Sequence, residues 1–317
     1  MTWLVTGGAG YIGAHVVRAL VRDGRQVVVL DDLSTGHADR VDAGAVLVEG
    51  SVLDRGLVRR VLRENGVTGV VHIAAKKQVG ESVADPLLYY RENVEGLVAL
   101  LDSCRNKGVD RVVFSSSAAT YGLPDVDLVD EDTPGVPLSP YGESKLIGEW
   151  MLRACALAYG MRVMSMRYFN VAGAATPSLA DTGVFNLVPL VFQAITSGVR
   201  PRVFGADYPT PDGTCIRDYV HVADIAEAHL AAARALDAGA PSATYNIGRG
   251  EGSSVLDVLT VIGEVTGLDT AYDVVERRPG DPARVVAAVD RIRDGLGFSA
   301  THDLRSMVQS AWDGWPR

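Results

Sequence analysis

The chain opens with a short apolar strand, Trp3-Leu4-Val5, that runs directly into Gly7-Gly8-Ala9-Gly10-Tyr11-Ile12-Gly13. Helical spacing follows at once, with Val16, Val17, Leu20 and Val21 on one face. The glycines satisfy both G-x-G-x-x-G (8, 10, 13) and G-x-x-G-x-x-G (7, 10, 13). A strand that turns tightly into a helix through residues without Cβ atoms leaves few folds open. It lets backbone approach a pyrophosphate at the positive end of the helix. The glycines alone are a weak signal, and the strand before and helix after them supply the context the motif requires.

The next strand, Gln26-Val-Val-Val-Leu30, ends in Asp31-Asp32, 18 residues beyond Gly13. A carboxylate there accepts ribose hydroxyls and repels a 2′-phosphate, which favours NAD over NADP. Strands and helices then alternate. Val46-Leu-Val reads as a strand, Asp54 as the cap of a helix through Leu62, and Gly69–Ile73 as a strand. Asp85-Pro86 opens a long helix to Lys107, with Asp at the N-cap and Pro at the first helical position. Arg111–Phe114 forms a fifth strand ending in serines, Tyr141–Tyr159 a helix, and Arg162–Arg167 a sixth strand.

Near-continuous apolar strands joined by helical crossovers imply an α/β fold, a Rossmann-type doubly wound parallel sheet covered on both faces. Ligands of such sheets bind beyond the strands' carboxyl ends. After Phe169 the periodicity weakens into Pro-bearing loops and short helices. The expected division is a dinucleotide-binding domain over 1–170 and a smaller α/β substrate domain over 171–317, some segments of which return to the first. Tyr245-Asn-Ile-Gly is read as part of the smaller domain.

Tyr141-Gly-Glu-Ser-Lys145 places a phenol and an ammonium four residues apart on one helix face. A neighbouring cation favours the phenolate, so Lys145 is expected to lower the Tyr141 pKa and fit it to act as a general base. Ser115-Ser-Ser117 lies at the end of the preceding strand.

With 317 residues, 47% of them hydrophobic, the chain can bury a full core. A net charge of −9 and the lack of a basic run argue against a nucleic-acid partner. Cys104, Cys155 and Cys215 are scattered and have no metal-ligand spacing, so they read as reduced packing residues of a cytoplasmic protein. No apolar run approaches the ~20 residues of a membrane span, and the opening strand does not fit a signal peptide. His221 and His229, around Asp224 and Glu227, are read as packing and capping residues, and no metal site is expected.

Longer strings narrow the reading. Val5–Gly13, Val79-Gly-Glu-Ser82, Ser115-Ser-Ser-Ala118, Ser139-Pro-Tyr-Gly142, Arg167-Tyr-Phe-Asn170, Arg217-Asp-Tyr-Val-His221 and Ser254-Val-Leu-Asp257 resemble, in order, the UDP-glucose 4-epimerases of the extended short-chain dehydrogenase/reductase family. The resemblance implies that Tyr141, as phenolate, takes the proton of the sugar 4-hydroxyl while the C4 hydride passes to tightly held NAD. A 4-keto sugar turns over in the pocket and receives the hydride on its other face. Lys145 would hold the nicotinamide ribose and Ser117 would relay the proton.

The same resemblance implies cofactor contacts from Gly7, Gly10, Tyr11, Ile12, Gly13, Asp31, Asp32, Ser51, Val52, Ile73, Ala74, Ala75, Lys77, Asn93, Ser115, Tyr141, Lys145 and Phe169. For the UDP-sugar it implies Lys77, Ser117, Tyr141, Asn170, Asn186, Leu187, Val203, Phe204, Arg217, Tyr219, Arg278 and Asp281. Arg217 and Arg278 suit a diphosphate through their forked donors, and Phe204 suits uracil. The family also forms homodimers through paired helices, here 86–107 with Leu97, Leu100 and Leu101, and 141–159 with Trp150, Leu152 and Ala156.

Three positions depart from the family pattern. Ser51 replaces an Asp facing adenine, Ala119 replaces a Thr beside the sugar, and Val285 stands where some relatives carry Tyr. The last should enlarge the hexose pocket and admit N-acetylated sugars. A 4,6-dehydratase needs an Asp/Glu pair where this chain has Ala118-Ala119. A 4-epimerase of another UDP-sugar, such as a uronate or pentose, is the nearer alternative, and a non-catalytic NAD-binding sensor a more distant one. Loop 125–140 reads as a solvated connection or a lid.

Overall fold

The computed structural model describes residues 1–278 and 280–316, so Pro279, beside the expected sugar residue Arg278, lies outside it. Its strands are β1 (Thr2–Thr6), β2 (Gln26–Asp31), β3 (Ala45–Glu49), β4 (Val67–His72), β5 (Arg111–Ser117), β6 (Arg162–Tyr168), β7 (Asn170–Ala172), β8 (Arg202–Phe204), β9 (Ile216–His221), β10 (Ala243–Ile247), β11 (Gly252–Ser254), β12 (Asp273–Val275) and β13 (Arg284–Val285). Seven of them form one parallel sheet in the order β10-β6-β5-β4-β1-β2-β3. The strand order reverses between β1 and β4, the place where doubly wound sheets open a ligand crevice.

Alternation along each strand explains the two cores. Trp3, Val5, Val27, Val29, Val71 and Val113 face one side with helices Tyr11–Arg22 and Val222–Asp237. Leu4, Val28, Leu30, Val70 and Val112 face the other with helices Arg55–Glu64, Gly96–Lys107 and Pro140–Tyr159. A sheet buried on both faces must read as a near-continuous apolar run in sequence.

The Tyr245 segment sits elsewhere than its loop-rich surroundings suggest: Ala243–Ile247 is the seventh strand of the main sheet, parallel to β6. Local pattern could not show this, because the pairing depends on a partner about 80 residues upstream. A smaller sheet is built around β9, which pairs with β11, β13 and β7. A third core, with Phe192, Val203, Tyr219, Ile262 and Met307, packs beneath it.

Helix ends follow their sequence signals. Asp54 and Asp85 accept from the backbone N–H groups of Leu57 and Leu88. Ser254 and Asp257 form a reciprocal capping box. The long helix from Pro86 has one π turn, Tyr90–Glu95, before regular helix resumes at Gly96. His221 caps the helix it precedes, its Nδ1 accepting from Ala223 N at 2.9 Å.

Four histidines are buried in the fold. Burial lowers His15, His221 and His229 to about 4 and His72 to about 3. The unfolded chain therefore binds more protons than the folded one below pH 6.5, and stability falls as pH drops toward 4. Asp218, raised by burial to about 6, and Glu131, also raised by burial, work in the opposite direction but are two groups against four. Melting temperature should fall by roughly 5–10 °C between pH 7.5 and pH 5; a flat profile would mean that these histidines are not held neutral.

Candidate active site

The glycine turn is fixed by packing at two of its positions. Gly7 has φ +73°, and a Cβ there would lie 2.6 Å from Ala74 N. A Cβ on Gly13 would lie 1.9 Å from Gly7 O, so helix and strand approach closely only because both residues are glycine. Gly10, the N-cap of the helix, is different: a Cβ there would meet only Gly7 O, at 3.4 Å. Its bare Cα leaves room for a ligand rather than for the protein.

A cleft of about 440 Å³ lies over this turn. It is lined by Gly7, Gly10, Tyr11, Ile12, Gly13, Asp31, Asp32, Ser51, Val52, Ile73, Ala74, Ala75 and Lys77, all expected from sequence. Asp31 is buried, and its two oxygens accept from Ala9 N and Leu33 N at 2.9 Å each. Each oxygen keeps a further lone pair for a ribose hydroxyl. The bare turn at a helix N-terminus, the carboxylate and the Lys77 charge fit a dinucleotide such as NAD.

The other expected cofactor residues lie off this cleft's lining. Asn93 is buried in the π turn, where its side chain accepts from Lys76 N at 2.8 Å and donates to Lys76 O and Ser144 Oγ. It holds the cleft's edge to the helix that carries Tyr141. Phe169 is buried with Tyr121, Val129, Val285 and Ala287.

Sequence reading missed the cover of the cleft, formed by Asp181, Thr182, Gly183 and Phe185 with His37 and Arg40. Arg40 donates to Ala180 O at 2.9 Å and to Thr182 Oγ1 at 3.0 Å. Tyr11 OH donates to Gly173 O at 2.5 Å, and Ala175 N donates to His15 Nε2 at 3.0 Å. These pairings span some 140–160 residues, and no local motif announces them.

Ser139 caps the helix Pro140–Tyr159, which lays its first turns across the ends of β5 and β6. The Tyr141 phenol lies close enough to the Ser117 side chain for that hydroxyl to favour its ionised form. Ser117 Oγ also accepts from Ala119 N at 3.1 Å, so one hydroxyl both ends the strand and meets the phenol. Lys145 Nζ donates to Ser115 O at 2.9 Å and lies 5.9 Å from the Tyr141 ring centre.

The electrostatics correct one expectation. Tyr141 is not lowered by Lys145: burial raises its pKa, and the Ser117 hydrogen bond opposes the rise. Burial also lowers Lys145, to about 8. Withdrawal from water favours the neutral form of both groups and here outweighs their mutual attraction.

The expected sugar residues gather around the smaller sheet. Asn170 is exposed at the start of β7, in register with Tyr219. Arg217 is ion-paired to Asp281, and Arg278 lies 3.8 Å from the Phe204 ring centre, on the face expected to receive uracil. Asn186 precedes the helix that starts at Leu187 and donates to Asp181 Oδ2 at 2.7 Å. Val203 and Tyr219 are packed in the third core, which leaves their backbone as the part able to face a ligand.

Comparison with known proteins places the chain in a family. Residues 3–248 match the model of the NAD dependent epimerase/dehydratase family. A UDP-glucose 4-epimerase of Azospirillum brasilense is 46% identical over 99% of this chain and 91% of its own. One of Streptomyces lividans is 44% identical over 98% of this chain and 95% of its own. The structure of the Brucella ovis UDP-glucose 4-epimerase in complex with NAD superposes with a TM-score of 0.95, at 40% identity, covering 99% of this chain and 98% of the other. The UDP-Glc/GlcNAc 4-epimerase of Campylobacter jejuni does so with a TM-score of 0.88, at 35% identity, covering 98% of each. By sequence and by fold, the chain belongs to the NAD dependent epimerase/dehydratase family.

Proposed function

We propose that this protein is a UDP-glucose 4-epimerase that interconverts UDP-glucose and UDP-galactose. The observation that carries the reading is the Tyr141–Ser117 hydroxyl pair, with Lys145 one helical turn away, at the strand ends beside a dinucleotide cleft. NAD, when bound, supplies reversible acceptance of the C4 hydride. Tyr141 takes the proton of the 4-hydroxyl as base and returns it as acid. Ser117 steadies the sugar oxygen and shortens the proton's path, and Lys145 anchors the ribose side of the site. Arg217 and Arg278 exchange their present partners, Asp281 and Phe204, for the diphosphate.

Residues 1–170 serve mainly the dinucleotide and 171–317 mainly the sugar nucleotide. Three free cysteines, two of them buried, support a cytoplasmic setting.

Purified protein given UDP-galactose and no cofactor should form UDP-glucose, and Tyr141→Phe should lower kcat by roughly 10²–10⁴-fold. Failure of the wild type even with added NAD would redirect the search to UDP-uronates and UDP-pentoses. Undiminished turnover in the variant would remove Tyr141 from the chemistry.

Val285 supports a wider substrate range. It is buried beside Phe169 and Tyr121, and a side chain smaller than Tyr here would leave more room for a hexose held next to it. UDP-N-acetylglucosamine should be turned over within roughly tenfold of the UDP-glucose rate; a negligible rate would sink this part of the proposal.

A homodimer is also proposed, on an outward set of side chains of which only Trp150 is among those expected. Leu97, Leu100, Leu101 and Leu152 are within 4% of full burial in the chain's own second core and are not available to a partner. The outward apolar residues of the same helices are Leu87, Val98, Trp150 and Leu157, with Leu157 85% exposed. Four large apolar side chains on adjacent helices form a patch of the kind subunit interfaces cover. Leu157→Arg with Val98→Arg should yield a monomer by light scattering; an unchanged mass would place the interface elsewhere.

A further inference from the structure

Beyond the half-buried phenol and the buried ammonium, the helix Pro140–Tyr159 carries another buried group on the same face: Glu149, four residues after Lys145 and eight after Tyr141. The serine end of β5 meets all three. Ser117 lies beside Tyr141, Ser115 O accepts from Lys145, and Ser116 Oγ donates to Glu149. Arg167, which pairs in register with Ser116 across β5 and β6, grips the carboxylate in a fork, Nε at 2.8 Å and NH2 at 2.5 Å. Its third nitrogen donates to Tyr121 OH at 2.8 Å and to Glu131 O at 3.2 Å. Tyr121 OH in turn donates to Asn246 Oδ1 at 2.6 Å. One network therefore ties the helix of Tyr141 to β5, β6, β10 and the loop after β5.

An ion pair this deeply buried is a poor source of stability. Apolar residues of similar volume often replace such a pair at no cost, whereas removing one partner strands the other's charge. Its directional fork instead fixes where the helix lies along the strand ends. We propose that Glu149 and Arg167 are positioning residues for the epimerisation: their pairing sets the register in which Tyr141 meets Ser117 and Lys145 meets Ser115. This rests on Tyr141 being the base, as proposed above. A small sliding of the helix would break the phenol–hydroxyl contact and shift Lys145, while the glycine cleft and the residues around the smaller sheet stay in place, so most of the defect belongs in kcat.

The test compares wild type, Tyr141→Phe, Glu149→Gln and the paired apolar replacement Glu149→Leu/Arg167→Met on UDP-galactose across pH, with thermal melting in parallel. Glu149→Gln should lower kcat at least about tenfold with KM within about twofold, and should move the rise of kcat to higher pH. The paired replacement should melt within a few degrees of wild type yet keep the loss in kcat. Wild-type kcat in Glu149→Gln, or full recovery in the paired replacement, would show the pair to be structural only and overturn the proposal. If Tyr141→Phe itself retains turnover, the base assignment is what fails. If it loses turnover while Glu149→Gln does not, only the positioning role fails.

Discussion

Withdrawal from water is the constraint on which the site depends. The helix Pro140–Tyr159 lies against the ends of β5 and β6 so closely that an ammonium is buried and a phenol beside it is half-buried. Burial penalises the charged form of each, raising the phenol and lowering the ammonium to about 8. A base with a raised pKa is idle until something favours its anion. Ser117 supplies one hydrogen bond in that direction, and a dinucleotide with a positive nicotinamide supplies charge. On the proposed reading the protein holds the base in reserve, and bound NAD would complete the electrostatics.

The same enclosure is built from simple parts. Glycines at 7 and 13 let β1 and the first helix touch, and the reversal of strand order between β1 and β4 opens the cleft beside them. Asn93 links the cleft edge at Lys76 to Ser144 on the helix of Tyr141. The floor of the dinucleotide cleft and the helix of Tyr141 are therefore two ends of one hydrogen-bonded assembly, and displacement of either disturbs the other.

Much of this was legible in sequence because it is local. The glycine spacing, Asp31 at a strand end, Asp-Pro and Ser-Pro helix starts and the Tyr-x-x-x-Lys face are short-range patterns, and the structure places the turn, the carboxylate and the caps where they point. What escaped reading is long-range. The Tyr245 strand joins the main sheet through β6, and the cover over the cleft is tied by Arg40 to residues 140 positions away. The helix leucines show a further limit: periodicity identified an apolar face but could not say whether core or partner covers it. The sign of the Tyr141 shift was misjudged for a related reason, since spacing reveals the neighbouring charge but not the loss of water.

The central claim is that burial holds the Tyr141 phenol neutral until the dinucleotide is bound. It is tested most directly by ultraviolet titration of the phenol, taken as the difference between wild type and Tyr141→Phe, with NAD bound and after its removal. The account predicts ionisation above the usual range near 10 in the stripped protein and a clear fall toward neutral pH with NAD bound. Identical titrations in the two states, or a phenol already ionised near neutrality without NAD, would contradict it.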